Sequence, residues 1–206
     1  MRNLKTRTWC KIAVIVSAMT LAAMAPSIAL AWCGEGRMTG GGSVCYTPGG
    51  CVETTGVNSG RVTHGFELHC VEGSDPNNLQ INDHVLNRAF HLETLNQTSC
   101  FYDPALNPKP PAAGFNTFVG QGFVRLNTDG TDQLYCAQWK FTDNGEPGDT
   151  DQATILITDG GAASGVSLCP EDPGGSPNNV ICTGNVLLKI GPANLTFGNH
   201  QAHKDN

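Results

Sequence analysis

Glycine and proline interrupt this chain so often that long helices have no room to form. The 206 residues include 25 Gly and 12 Pro, and the stretches between them alternate apolar and polar residues with a period of two. In residues 61–68, Val62, His64, Phe66 and Leu68 share one face, while Thr63, Gly65 and Glu67 share the other. Residues 79–82, 118–126, 133–141, 153–158 and 185–190 are strand-like in the same way. Gly120 and Gly122 inside the third of these runs suit a close backbone approach or a bulge. Asp129-Gly130 marks a turn into the fourth. With no alternation of strands and helices, the pattern predicts an all-β fold. The expected architecture is a single antiparallel β-sandwich of the jelly-roll kind. One segment reads both ways. In residues 84–95, Val85, Leu86, Ala89, Phe90 and Leu92 fit helical spacing, whereas Phe90 and Leu92 alternate as in a strand. The Pro-rich residues 103–111 read as an extended loop.

The N-terminus carries a different signal. Arg2, Lys5, Arg7 and Lys11 precede an apolar stretch over residues 12–24, and Ala29-Leu30-Ala31 supplies an A-x-A cleavage site. The apolar stretch falls short of the about 20 residues a membrane span needs. Residues 1–31 are therefore expected to be a cleaved signal peptide, leaving 32–206 as one domain with no membrane attachment. Trp32 before Cys33 argues against a lipid anchor, which needs a small residue there. Removal of the leader leaves 8 basic against 18 acidic residues, a net charge of −10. That balance argues against nucleic acid or an anionic membrane as partner.

Eight cysteines follow the leader: Cys33, Cys45, Cys51, Cys70, Cys100, Cys136, Cys169 and Cys182. An even count in an exported chain predicts disulfides. No C-x-x-C occurs, so zinc ribbons and thioredoxin-like chemistry lack their signature. Two pairings look local, Cys45 with Cys51 and Cys169 with Cys182, each closing a Gly/Pro-rich loop. Closing the larger of these is worth about 3 kcal/mol in the chain-entropy model. Spacing does not choose among Cys33, Cys70, Cys100 and Cys136.

Several short motifs occur in a recognisable order: residues 38–43 (MTGGGS), 61–70 (RVTHGFELHC), 76–79 (PNNL), 90–94 (FHLET), 141–148 (FTDNGEPG) and 198–203 (GNHQAH). In this order the chain resembles the post-COAP type of bacterial extracellular domain over most of residues 32–206. The resemblance implies a compact β domain without an established catalytic activity. It tips residues 84–95 toward strand. It also implies a Cys70–Cys100 bridge, which leaves Cys33 for Cys136. Residues 83–87 depart from the tighter, glycine-bearing turn expected there, and residues 169–182 look like an insertion in the last hairpin.

Among residues able to carry chemistry, the stretch 143–151 stands out. Asp143, Asn144, Glu146, Asp149 and Asp151 place oxygen ligands around two glycines, which suits calcium. The spacing fails the EF-hand pattern, and Asn-Gly and Pro-Gly equally describe a solvated hairpin turn. No cofactor other than calcium has any support. The six histidines form no H-E-x-x-H, and His64 reads as a hydrogen-bonded core residue. No G-x-S-x-G occurs, and bridged cysteines are not nucleophiles. Trp32, Trp139, Tyr46, Tyr102 and Tyr135 could bind sugar if exposed, but core positions suit most of them better. The expectation is a non-enzymatic structural or interaction module with an unidentified protein or surface partner. Its place is outside the cytoplasm: secreted, on the cell surface or in a periplasm. The competing readings are a calcium- or ligand-binding module using residues 143–151, and an extracellular hydrolase with a spatially assembled carboxylate pair.

Overall fold

A computed structural model describes residues 35–46, 60–74, 76–107, 111–127, 132–170 and 172–204. The expected leader lies outside the described residues, as do Cys33 and Cys51. Nine strands and no helix occur among the described residues: β1 (Arg37–Cys45), β2 (Arg61–His69), β3 (Asn78–Asp83), β4 (Arg88–Phe101), β5 (Thr117–Leu126), β6 (Leu134–Thr142), β7 (Gln152–Thr158), β8 (Val186–Asn194) and β9 (Phe197–His203). The alternating runs become strands with their apolar set inward. In β2, Val62, His64, Phe66 and Leu68 are all buried.

Strands β1 to β8 run as a meander, each antiparallel to the next, and β9 returns to pair with the free side of β1. The two edge strands, β8 and β9, are therefore consecutive in sequence and joined only by Leu195 and Thr196. A flat sheet of nine strands is roughly 38 Å across at about 4.8 Å per strand. A link of two residues reaches only about 10 Å. The sheet must curl until its edges approach, and β8 does touch β1. The all-β antiparallel expectation holds, but the jelly-roll sandwich does not describe these strands. They form one continuous sheet in meander order, without the Greek-key crossings of a jelly roll. Alternation specifies which face is buried; it is the same for a concave face as for the inner face of a sandwich.

The concave face holds the main core, including Met38, Leu68, Ile81, Phe90, Phe118, Trp139, Phe141, Ile155 and Ile157. Residues 84–95 resolve into a turn over 84–87 and the start of β4. Asp83 ends β3 by accepting the backbone N–H groups of Val85 and Leu86 on its Oδ1, and Asn87 turns the chain at φ 51°. The 14-residue β4 shifts register against β5 at two places, which lets so long a strand bend with the sheet.

On the convex face, Phe101, Val119, Leu168 and Ile181 form a second, smaller cluster beneath the β7–β8 connection. The Cys136–Cys182 disulfide fastens that connection to β6. Cys70–Cys100 is also formed, as the resemblance implies. Cys136 is bridged to Cys182, so neither the Cys169–Cys182 pair nor the Cys33–Cys136 pair forms. The reason is the register of the sheet. Cys136 points outward from β6, and the returning segment, paired at Ala162–Cys182, brings Cys182 onto it. Cys45 and Cys169 are disulfide-bonded as well. The expected Cys45–Cys51 pair includes a residue outside the described set. Disulfides in such number point to a non-cytoplasmic protein.

Candidate functional site

Four of the six motif segments meet at one place, where β9, β1 and β2 lie side by side and the β6–β7 connection reaches across to them. In the strand register, Gly40 sits between Phe66 and His200, and Gly42 sits between His64 and Gly198. The glycine run of β1 lets the neighbouring backbones approach closely, and it adds no side chain to the inner-face space between the large rings on both neighbours. A Cβ at Gly40 would stand 2.3 Å from the Asn199 carbonyl oxygen, so no other residue fits there. Into this space project His64 and His200, whose Nε2 atoms are 2.8 Å apart. Phe141 of β6 stacks on His64 with ring centroids 5.0 Å apart and on Phe66 at 4.3 Å. The edge of His200 meets Phe66 at 5.1 Å.

The hydrogen bonds assign the tautomers. His200 Nδ1 lies 3.0 Å from the Thr142 carbonyl oxygen, which only accepts, so Nδ1 carries the proton and Nε2 is bare. His64 Nε2 must then donate to His200 Nε2, which leaves His64 Nδ1 unprotonated. That nitrogen is buried without a hydrogen-bond partner. Both rings are held neutral. Burial pushes His64 down to about 3, with the neighbouring His200 adding to the effect. Burial likewise pushes His200 down to about 4, opposed by its bond to Thr142 and by the charge of Asp143.

The acidic stretch 143–151 forms the β6–β7 connection, and its carboxylates reach for β9. Asp151, fully buried, accepts the His200 backbone N–H on Oδ2 at 2.7 Å and the Asn144 N–H on Oδ1 at 2.7 Å. Asp143 accepts the Ala202 N–H at 2.8 Å and the Gly145 N–H at 3.0 Å. Glu146 accepts the side-chain amides of Gln201 and Asn199, both at 2.8 Å, and these bonds hold its carboxyl below the usual range. Asp149 is exposed. The N–H groups of His200 and Ala202 face away from β1, where a tenth strand would pair. Carboxylates take the place of that strand and clasp the open edge. Their oxygens point at separate N–H donors. Among the described residues no group of three or more His, Cys, Asp or Glu is placed to hold a metal. Burial raises Asp151 to about 6 against the two hydrogen bonds that favour its charge, with Asp143 and Glu146 raising it further.

Other candidates are dispersed. Trp139 and Tyr135 are buried, Tyr102 donates its hydroxyl to the Asn107 carbonyl, and Trp32 lies outside the described residues. Tyr46 is partly exposed, and its hydroxyl is pushed up to about 12 by burial and by Asp83. His84 bonds Thr63 and His203 bonds Thr39, each beyond the reach of the His64–His200 pair. Asp83, also buried, is neutralised by Arg88 at 2.6 Å, which in turn donates to the Leu187 carbonyl of β8. The sequence singled out His64 as a core residue but gave no hint of its partner, since 136 residues separate the two histidines.

Several hollows open on the surface of the described residues, among them two of comparable size. One, of about 580 Å³, lies over β2–β4 and is polar, with Glu67, Gln80, Asn82 and His91 in its wall. The other, of about 510 Å³, lies between the convex face of β6–β8 and the β7–β8 connection. Its wall is fixed from below. Gln138 of β6 donates to the Asn179 carbonyl and accepts the Ile181 N–H at 2.9 Å.

No family model matches the chain, and no curated protein or solved structure matches it either. Among the described residues no helix is long and apolar enough to cross a membrane.

Proposed function

We propose that this protein is an exported, non-enzymatic interaction module of the post-COAP type. In this reading the leader 1–31 is removed, and residues 32–206 work in the medium, on the cell surface or in a periplasm. One observation carries it. The motif residues converge on the closure of the sheet: the glycines of β1 admit the histidine pair, and Asp143 and Glu146 clasp β9. Motif residues that serve the closure of the sheet build a scaffold rather than a reaction site. Contact with a partner then falls to the convex face and its strapped connection.

The edge strands favour binding through that face over strand addition. The N–H groups of His200 and Ala202 in β9 are taken by carboxylates. Strand β8 carries Pro192 and two register shifts against β7, devices that discourage pairing with a further strand. Fractionation of expressing bacterial cells, with intact mass of the product, tests the reading. A protein of 175 residues in the medium, periplasm or washable surface fraction is expected. Full-length chain retained in the cytoplasm would overturn it.

A further inference from the structure

The hollow between β6–β8 and the β7–β8 connection is built for more than a macromolecular contact. Its floor is set by cross-strand rows. Leu156 lies between Gln138 and Lys189 in one row, and Thr154 faces Lys140 in the next. Val180, 65 % exposed, and Val186, 57 % exposed, stand on its rim. At about 510 Å³ the hollow is in the range of small-molecule sites.

Its charge runs against the rest of the protein. The 18 acidic residues outnumber the basic ones even with the leader counted. Arg37, Arg88 and Arg125 are each paired with a carboxylate. Lys140 and Lys189 make no ion pair among the described residues, and both line this hollow. Lys140 rests near the ring of Phe101, 6.0 Å from its centroid. The two lysines stand two strands and two residues apart, about 12 Å at the usual spacings. Their flexible four-carbon stems allow both ammonium groups to swing over Leu156 between them.

We infer that this hollow binds a small amphipathic anion: an apolar body carrying a carboxylate, laid along Leu156, Val180 and Val186 with its charge against Lys140 and Lys189. A neutral molecule of the same shape lacks the second half of the match. This assignment goes beyond the interaction-module reading and does not depend on where the protein resides.

Octanoate and 1-octanol, titrated into the disulfide-intact full chain and followed by methyl NMR, test it. Octanoate is expected to shift the methyl resonances of Leu156, Val180 and Val186, to bind at least fivefold more tightly than octanol, and to weaken with added salt. In the K140Q/K189Q variant octanoate should fall to the affinity of octanol, while octanol is unchanged. V180D should weaken both. Unchanged thermal midpoints in these surface variants certify that the fold is kept. Equal binding of the two probes, an unaffected K140Q/K189Q variant, or shifts confined to other faces would each overturn the assignment. Failure here leaves the fractionation result untouched, so the two readings fall separately.

Discussion

His64 donates its Nε2 proton to the Nε2 of His200 across 2.8 Å of closed interior, and this bond ties β2 to the last strand of the sheet. Because both rings sit in a phenylalanine-lined space, the pair is stable only while neutral. The sign of the pH effect follows. Each histidine ordinarily titrates near 6.5, and in the fold they are depressed to about 3 and about 4. Between those limits the unfolded chain binds more protons, so stability is full above about 6.5 and falls as pH drops toward 4. Asp151 works in the opposite sense. Raised to about 6, it makes the native state bind the extra proton, and its contribution is lost as pH rises from its ordinary 3.8 through 6. Two histidines against one aspartate leave a net loss on acidification. Urea midpoints at pH 7, 6 and 5 should fall in that order. A flat profile would mean that the rings are not buried neutral.

Replacing His64 with Phe separates the bond from the titration. The ring still stacks on Phe141, but His200 Nε2 loses its donor and becomes a buried unsatisfied acceptor. At pH 7 the variant should lose about 1–3 kcal/mol by urea denaturation. Its stability should also decline less steeply with acid than that of the parent.

Asp151→Asn tests the clasp on β9. The amide offers one oxygen where the carboxylate offered two, so one N–H of His200 or Asn144 faces another donor. A loss of about 1–3 kcal/mol is expected. Faster hydrogen exchange at the His200 amide is the local readout that global destabilisation alone would not give. The acid slope should steepen, because the opposing group is gone.

The same geometry predicts indifference to calcium. With Asp143, Glu146 and Asp151 accepting from β9 and from their own loop, the thermal midpoint should be the same in excess calcium and in chelator. A rise with calcium would return residues 143–151 to the role of an ion site.

Non-reducing peptide mapping should recover Cys136 linked to Cys182 and Cys70 linked to Cys100. Replacing both Cys136 and Cys182 with Ala opens a loop with a sequence separation of 46 residues, worth on the order of 4 kcal/mol in the chain-entropy model. Proteolysis of the variant should begin within residues 159–185. Recovery of a Cys169–Cys182 peptide from the parent would contradict the register of the β7–β8 connection.

Gly120→Ala probes the concave face. A Cβ there would stand 2.6 Å from two ring carbons of Trp139, which is buried. The ring must shift within the core, and a cost of about 1–3 kcal/mol is expected. A shift in tryptophan fluorescence should accompany it.

Local pattern made much of this fold legible. A period of two located β2, β3, β5, β6 and β7 nearly to their ends, because alternation is how a strand with one buried face must be written. It also placed His64 inward. The pattern was weaker where a strand's character is set by its neighbours. Strand β1 is thin in side chains because a Cβ at Gly40 or Gly42 would meet the backbone of β9. Strand β8 continues past Pro192 because an edge strand tolerates a missing donor. Residues 84–95 divided between turn and strand only once Asp83 had captured the N–H groups of Val85 and Leu86.

By itself, then, the sequence determined an antiparallel β chain with bridged cysteines, since hydrophobic alternation, turn residues and cysteine parity are local or countable. The tertiary structure alone decided that the sheet is one curled meander, that Cys136 meets Cys182, that His64 meets His200, and that the acidic stretch closes on β9. Each of these joins residues far apart in the chain. Their meeting depends on strand order and register, which alternation leaves free and which the packing of the whole sheet selects.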